Sequence, residues 1–245
     1  MDPRPVLYFV SDVHLGRGPP KAEAQKRERL IGLMDRVQEA GGSLYILGDL
    51  FDFWFEYRTV IPRAAFGILA RLEGLAAAGV PVRYLGGNHD FWLCDFLARE
   101  TGVEVLEDGA LVSAQNQTLR LFHGDGLGPG DTGYKILKRV FRNPLAIRLF
   151  RWIHPDLGIG MALRTSHVSR DHTMDQPVDV DRIHTHVALP EFNRGATAVL
   201  MGHHHVPELR RGKEGTFMIL GDWFKAYTCG RLKDGNLELV RWPDI

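Results

Sequence analysis

Six apolar runs of four or five residues recur along this chain, and each ends in a cluster of Asp, His, Asn or Gly. In order, residues 6–10 precede Ser11-Asp12-Val13-His14-Leu15, 44–47 precede Gly48-Asp49-Leu50-Phe51-Asp52, and 82–85 precede Gly86-Gly87-Asn88-His89-Asp90. Further on, 119–122 precede His123-Gly124-Asp125, 198–201 precede Gly202-His203-His204-His205, and 217–220 precede Gly221-Asp222-Trp223. Runs this short and this rich in Val, Leu, Ile, Phe and Tyr suit buried strands, and open α/β sheets build their sites at the carboxyl ends of strands. The pattern therefore predicts buried sheet with polar chemistry gathered at one edge.

Helices are expected between the first strands. Residues 21–40 carry Leu30, Leu33, Met34 and Val37 at three- and four-residue steps and close at Gly41-Gly42; residues 62–78 carry Phe66, Leu69, Leu72 and Leu75 and close at Gly79. Apolar residues at that spacing with a glycine stop describe amphipathic helices, so the first half reads as a right-handed strand-helix-strand-helix-strand layer. At 245 residues with a 44% apolar share, one domain over 1–245 is favoured. The stretch between residues 122 and 198 shows no strand pattern and is too long for a bare loop; a helical cap inserted at about 130–195 is expected. Within it, 134–153 has helical spacing broken by Pro144, with Leu137, Val140 and Phe141 before the break and Leu145, Leu149 and Trp152 after it.

Thirty basic and thirty acidic side chains leave no chain-wide field to recruit nucleic acid. Cys94 and Cys229 are too few for a thiolate metal site and read as buried thiols. The first apolar run is too short for a signal peptide, so a cytoplasmic protein is expected. Of the eleven histidines, His167, His172, His184 and His186 lie in a polar stretch and read as solvated; the five tryptophans are assigned to the core by default. Residues 132–155 hold no acidic side chain but include Lys135, Lys138, Arg139, Arg142, Arg148 and Arg151 among large apolar residues. Such a segment either lies on an anionic bilayer or grips a lipid-linked anion, or it is a core-facing helix pair with a solvated basic side.

Each polar cluster alone is weak, since Gly-Asp is often a turn and a lone His often a core residue. Jointly, carboxylate, imidazole and carboxamide groups at five strand ends would be prohibitively costly to bury without a cation. Nitrogen and oxygen donors without thiolate suit Mn²⁺, Fe²⁺ or Zn²⁺, and a central carboxylate can bridge two ions roughly 3.5–4 Å apart. Such a pair clamps a phosphoryl oxygen and acidifies water, which is phosphoester hydrolysis.

Asp-x-His, Gly-Asp-x-x-Asp, Gly-Asn-His-Asp, His-Gly-Asp and Gly-His-x-His, in this order, resemble the calcineurin-like metallophosphoesterase superfamily. The resemblance implies an α/β fold, a four-layer α/β/β/α sandwich, with a dinuclear site across the strand ends. It implies that Asp12, His14, Asp49 and His205 hold one metal and that Asp49, Asn88, His123 and His203 hold the second, with His204 outside the ligand set. His89 is then the group that protonates or stabilises the leaving oxygen, and Asp52 orients it. Asp90, Asp125 and Asp222 are expected to fix ligands and loops.

A narrower resemblance rests on Phe51-Asp52-Phe53-Trp54, Phe91, the glycine-rich run from His123 to Lys135, Phe141-Arg142-Asn143-Pro144, His154 to Gly160, and Ser166 to Arg170. These are similar to the UDP-2,3-diacylglucosamine hydrolases of bacterial lipid A synthesis. That similarity implies water attack on the phosphorus nearest uridine, two Mn²⁺ ions, acyl chains against the apolar cap, and a peripheral site on the cytoplasmic face of the inner membrane. It implies substrate contacts from Asn88, His89, His203, Asp131, Ser166 and Arg170. The chain departs from the proteobacterial form, which has Arg at the position of His89 and Glu at that of Asp52. The alternatives are a two-metal phosphodiesterase or phosphatase acting on soluble phosphoesters, with the cap as a lid, and a non-catalytic scaffold of the same fold. A protein phosphatase fits less well, since that group continues Gly-Asp-x-x-Asp with Arg-Gly where this chain has Phe53-Trp54.

Overall fold

The computed structural model describes residues 5–128, 132–173 and 177–244. Strands and helices alternate at the start: β1 (Leu7–Val10), α1 (Pro20–Glu39), β2 (Ser43–Leu47), α2 (Phe66–Ala77), β3 (Val82–Leu85), α3 (Phe96–Thr101) and β4 (Glu104–Leu106). The hairpin β5 (Ala110–Ala114) and β6 (Gln117–Phe122) follows, then α4 (Thr132–Phe141), α5 (Pro144–Phe150), α6 (Pro155–Thr173), α7 (Val180–Ile183) and α8 (Leu189–Asn193). The chain returns to sheet with β7 (Ala198–Met201), β8 (Pro207–Arg211), β9 (Thr216–Leu220), β10 (Thr228–Lys233) and β11 (Asn236–Arg241). All six runs expected as strands are strands, and no strand interrupts the described residues between β6 and β7.

Two sheets result, one ordered β11-β10-β1-β2-β3-β4 and the other β5-β6-β7-β9-β8. β1, β2 and β3 run parallel, as do β6, β7 and β9. Alternation decides which side chains meet. From the first sheet Leu7, Phe9, Tyr45, Leu47 and Leu85 point inward against Leu119, Leu121, Leu200, Met218 and Leu220 of the second. Tyr8, Val10, Leu44 and Ile46 point the other way, onto Leu30, Leu33, Met34 and Val37 of α1 and Leu69 and Leu72 of α2. Val199, Met201, Phe217 and Ile219 form the far side of the second sheet and meet Val187, Ala188 and Phe192. The layers are helix, sheet, sheet, helix.

The insertion divides. α4 and α5 sit over the loops after β2, β3 and β6: Phe150 stacks on Trp92 with ring centres 5.6 Å apart, and Trp92 Nε1 donates to the Phe141 carbonyl at 3.0 Å. The final stretch, α7 through α8, is not cap but the outer layer on the second sheet, because its Val187, Ala188 and Phe192 pack in one apolar cluster with that sheet's far side. His184 belongs to that layer and packs its ring on Phe217, so it is not the freely solvated side chain expected. Two tryptophans also leave their default place. Trp54 and Trp223 are fully buried, but Trp92 is half-buried under the cap and Trp152 is 80% exposed at the end of α5. Cys229 is buried as expected, whereas Cys94 is exposed and takes a hydrogen bond from Arg151.

Candidate metal centre

Ser11-Asp12-Val13-His14, Gly48-Asp49, Gly87-Asn88-His89, His123 and Gly202-His203-His204-His205 all follow the carboxyl ends of parallel strands, so the sheet order brings them to one edge. Five of the seven expected ligands adopt left-handed backbone: Asp12 (φ 54°), His14 (48°), Asp49 (55°), His203 (69°) and His205 (56°). Each such residue costs about 1–3 kcal/mol, and such strain collects at functional sites. Glycine neighbours provide the room. A Cβ at Gly87 would lie 2.1 Å from Asp49 Oδ1, and one at Gly202 would lie 2.5 Å from Asp12 Oδ2.

The side chains form two groups that share Asp49. On one side His205 Nε2 is 3.3 Å from Asp12 Oδ1 and 3.2 Å from His14 Nε2, and His14 Nε2 is 3.6 Å from Asp49 Oδ2. On the other, His123 Nε2 is 3.4 Å from Asp49 Oδ2 and 3.0 Å from Asn88 Oδ1, and that oxygen is 2.9 Å from His203 Nδ1. Donor atoms of Asp12, His14 and His205, and of Asp12, Asp49 and His123, each fall within 4.8 Å of one another. His204 stacks edge-on against His203 with ring centres 5.2 Å apart.

Protonation states suit a cation. Burial pushes the Asp12 carboxyl up, but the His205 hydrogen bond and the charges of His205 and His123 bring it down to about 2. Asp49 is driven well below the carboxylate range by His123 and His89 despite the same burial. Burial lowers His14 to about 4 and His203 to about 3, so both imidazoles are neutral and offer lone pairs. Burial also opposes charge on His123, yet Asp49, Asp12 and Asp125 raise it well above the usual histidine range: a positive charge is demanded beside Asp49. Tautomers agree. His123 Nδ1 is 2.8 Å from the Leu47 carbonyl, which can only accept, so Nδ1 carries the hydrogen and Nε2 faces the cluster. Asp12 Oδ1 is buried against imidazole nitrogens, 3.3 Å from His205 Nε2 and 3.8 Å from His14 Nε2, a crowding of lone pairs that fits groups sharing a cation. The donor set is nitrogen and oxygen only and suits divalent ions.

His89 stands at the rim. Its Nε2 is 4.0 Å from Asp49 Oδ2, its backbone N donates to Asp49 Oδ1 at 2.8 Å, and its Nδ1 meets the backbone carbonyl of Asp52 at 2.9 Å. The hydrogen bond by which Asp52 holds this ring thus comes from its main chain, while the Asp52 carboxylate lies 3.4 Å from His14 Nδ1. Asp90 supports the loops: it accepts from the backbone N of Asp49 at 3.1 Å and of Gly87 at 2.8 Å, and from the Tyr84 hydroxyl. Asp222 accepts from three successive backbone N–H groups, 224–226. Asp125 couples centre and cap, for Tyr134 donates to its Oδ2 at 2.6 Å and Lys138 Nζ lies 2.7 Å from the same oxygen. The sequence marks Tyr134 and Lys138 as part of a basic helical segment but does not show their pairing with Asp125; their four-residue spacing on one helix face is the signal that would have found it.

From Asn88 and His89 a cavity of about 560 Å³ runs under the cap, with Phe53, Leu137, Phe141 and Phe150 among its walls. Asp131 lies outside the described residues. Ser166 and Arg170 fall on α6, whose backbone alone is described there.

The family model described as calcineurin-like phosphoesterase matches residues 5–207. A UDP-2,3-diacylglucosamine hydrolase of Porphyromonas gingivalis is 37% identical over 168 residues, 68% of this chain and 64% of that protein's length. The hydrolase of the same name from Nitrosococcus oceani is 31% identical over 222 residues, 88% of this chain and 86% of the relative. That from Haemophilus ducreyi is 28% identical over 88% of this chain and 91% of the relative.

Proposed function

The chain belongs to the calcineurin-like phosphoesterase family, and on that premise we propose that it hydrolyses the pyrophosphate bond of UDP-2,3-diacylglucosamine, releasing UMP and 2,3-diacylglucosamine 1-phosphate. One observation carries the substrate class: the polar cluster opens directly into an apolar cavity about 560 Å³ in volume, so a phosphoryl group at Asn88 and His89 continues into space suited to hydrocarbon. Asp12, His14, Asp49 and His205 hold one divalent cation, and Asp49, Asn88, His123 and His203 the other. Mn²⁺ is the proposed ion. When bound, the cations supply Lewis acidity toward the phosphoryl group and lower the pKa of water.

The protein's own groups do the rest. Asn88, His89 and His203 orient the diphosphate, with Asp131, Ser166 and Arg170 assigned to the substrate from the insertion. His89, its Nδ1 on the Asp52 carbonyl, turns Nε2 toward the leaving oxygen. The apolar walls exclude water from the acyl chains. In a metal-reconstituted assay with Mn²⁺ in detergent, UMP is expected from the diacylated substrate and not from UDP-glucose derivatives without acyl chains. Rapid turnover of the unacylated nucleotides would sink the lipid reading and leave a general phosphoesterase.

We also assign this enzyme to the cytoplasmic face of the inner membrane as a peripheral protein. No described helix is long and apolar enough to cross a bilayer. The outer side of the cap exposes Leu145 and Trp152 beside Arg148 and Arg151. Burying one such apolar side chain stabilises binding by about 1.5–3 kcal/mol, and each basic residue near an anionic surface adds about 1 kcal/mol. A Leu145→Asp/Trp152→Asp variant should therefore lose at least about tenfold in partitioning to phosphatidylglycerol vesicles. Neither residue lines the cavity beside Asn88 and His89, so hydrolysis in detergent should persist. Partitioning equal to that of the parent would remove the bilayer from this assignment.

A further inference from the structure

α1 sets a Glu–Lys pair against the turn that carries His14. Glu23 and Lys26 are three residues apart, and both are buried. Glu23 Oε2 accepts from Gly16 N at 2.7 Å and Oε1 from Gly18 N at 2.8 Å. Lys26 Nζ lies 2.7 Å from Glu23 Oε1 and donates to the His14 carbonyl at 2.6 Å. Three hydrogen bonds thus converge on residues 14–18, around a histidine whose φ of 48° a side chain disfavours.

A buried ion pair is a weak way to stabilise a helix against a sheet, because desolvation offsets its attraction and apolar residues of similar volume do as well. What this pair adds is fixation of one backbone turn. Its hydrogen bonds end on His14, Gly16 and Gly18, and none of them reaches Asn88, His123 or His203. We propose that Glu23 and Lys26 are positioning residues that hold His14 in its left-handed conformation and thereby set the metal affinity of the Asp12–His14–His205 position, leaving the His123–His203 position alone. This inference rests on the reading of those residues as ligands.

The test is a titration of metal-free protein with Mn²⁺, resolving two dissociation constants by calorimetry, with thermal unfolding of the same metal-free samples. Lys26→Met should weaken one of the two constants by about 10–100-fold, the usual effect of removing a group that orients a ligand, and leave the other unchanged. Lys26→Met strands a buried carboxylate, so Glu23→Gln/Lys26→Met, which removes both charges, gives the same readout if the single variant does not fold. Two unchanged constants overturn the inference. Equal weakening of both, or failure of both variants to fold, also overturns it, because the pair would then serve the fold at large. Parent protein that binds no Mn²⁺ would bring down the ligand reading itself, a result distinct from parent and variants that each bind two ions alike.

Discussion

Asp49→Asn will lower turnover by on the order of 10³–10⁴-fold, since the several kcal/mol of charge stabilisation expected from bound cations convert at 1.4 kcal/mol per tenfold. The substitution keeps the shape of the side chain and removes one charge. Asp49 Oδ2 lies within 4 Å of imidazole nitrogens from both groups, at 3.6 Å from His14 Nε2 and 3.4 Å from His123 Nε2. It is also the group that raises His123 most strongly against the effect of burial. An Asn there presents an N–H₂ or a neutral oxygen to two imidazoles, and the demand for positive charge falls away. The check has two parts. Mn²⁺ at a hundred times its dissociation constant stabilises the parent by about 2.7 kcal/mol through linkage, and the Asn variant should show little of that shift. A variant that keeps both the Mn²⁺-dependent shift and near-parent turnover would show that Asp49 is not the shared ligand.

The strands that build the site were readable because their constraints are local. β1, β2, β7 and β9 are buried along nearly their whole length and read as apolar runs, β3 and β6 interrupt theirs with the half-buried Arg83 and Arg120, and a run that stops at Asp, His or Asn marks its own end. The five strands that were missed lack that signature. β4 and β8 are edges with polar residues, β5 and β11 are edges with one wetter face, and β10 carries Gly230 where a Cβ would come 3.0 Å from Met218 across the sheets. The residues gathered at the centre were legible as a motif, but their support was not. Nothing in Glu23 or Lys26 distinguishes them from the other charges of an amphipathic helix until the turn at 14–18 is placed beside them. The left-handed backbone of Asp12, His14, Asp49, His203 and His205 is equally silent, because glycine is the usual sign of such geometry and these positions carry Asp and His, the proposed ligands, instead. The division of the insertion between cap and outer layer needed the second sheet, whose far side decides where Val187 and Phe192 are buried.

His89→Gln should cost about 10²-fold or more in kcat with both Mn²⁺ equivalents retained, the scale of a positioned proton donor. The Asp52 carbonyl accepts from Nδ1 at 2.9 Å, so a neutral His89 carries its hydrogen there and turns a bare Nε2 toward the site. Nε2 can donate only when the ring is imidazolium. A leaving phosphate monoester has a second pKa near 6 and departs without full protonation, so for the diphosphate a hydrogen bond at that oxygen suffices; an alkoxide cannot leave that way and needs the proton itself. The cost of His89→Gln should therefore grow as the leaving group worsens, being modest for a nitrophenyl phosphodiester and largest for an alkyl one. Gln still has a donor to offer, and His89→Ala should be slower than His89→Gln on the diphosphate but equal to it on the alkyl ester. A penalty independent of the leaving group would mean that the His89 ring acts by holding the 87–90 loop through its Nδ1 bond to the Asp52 carbonyl, and Nε2 would then have no part in the chemistry.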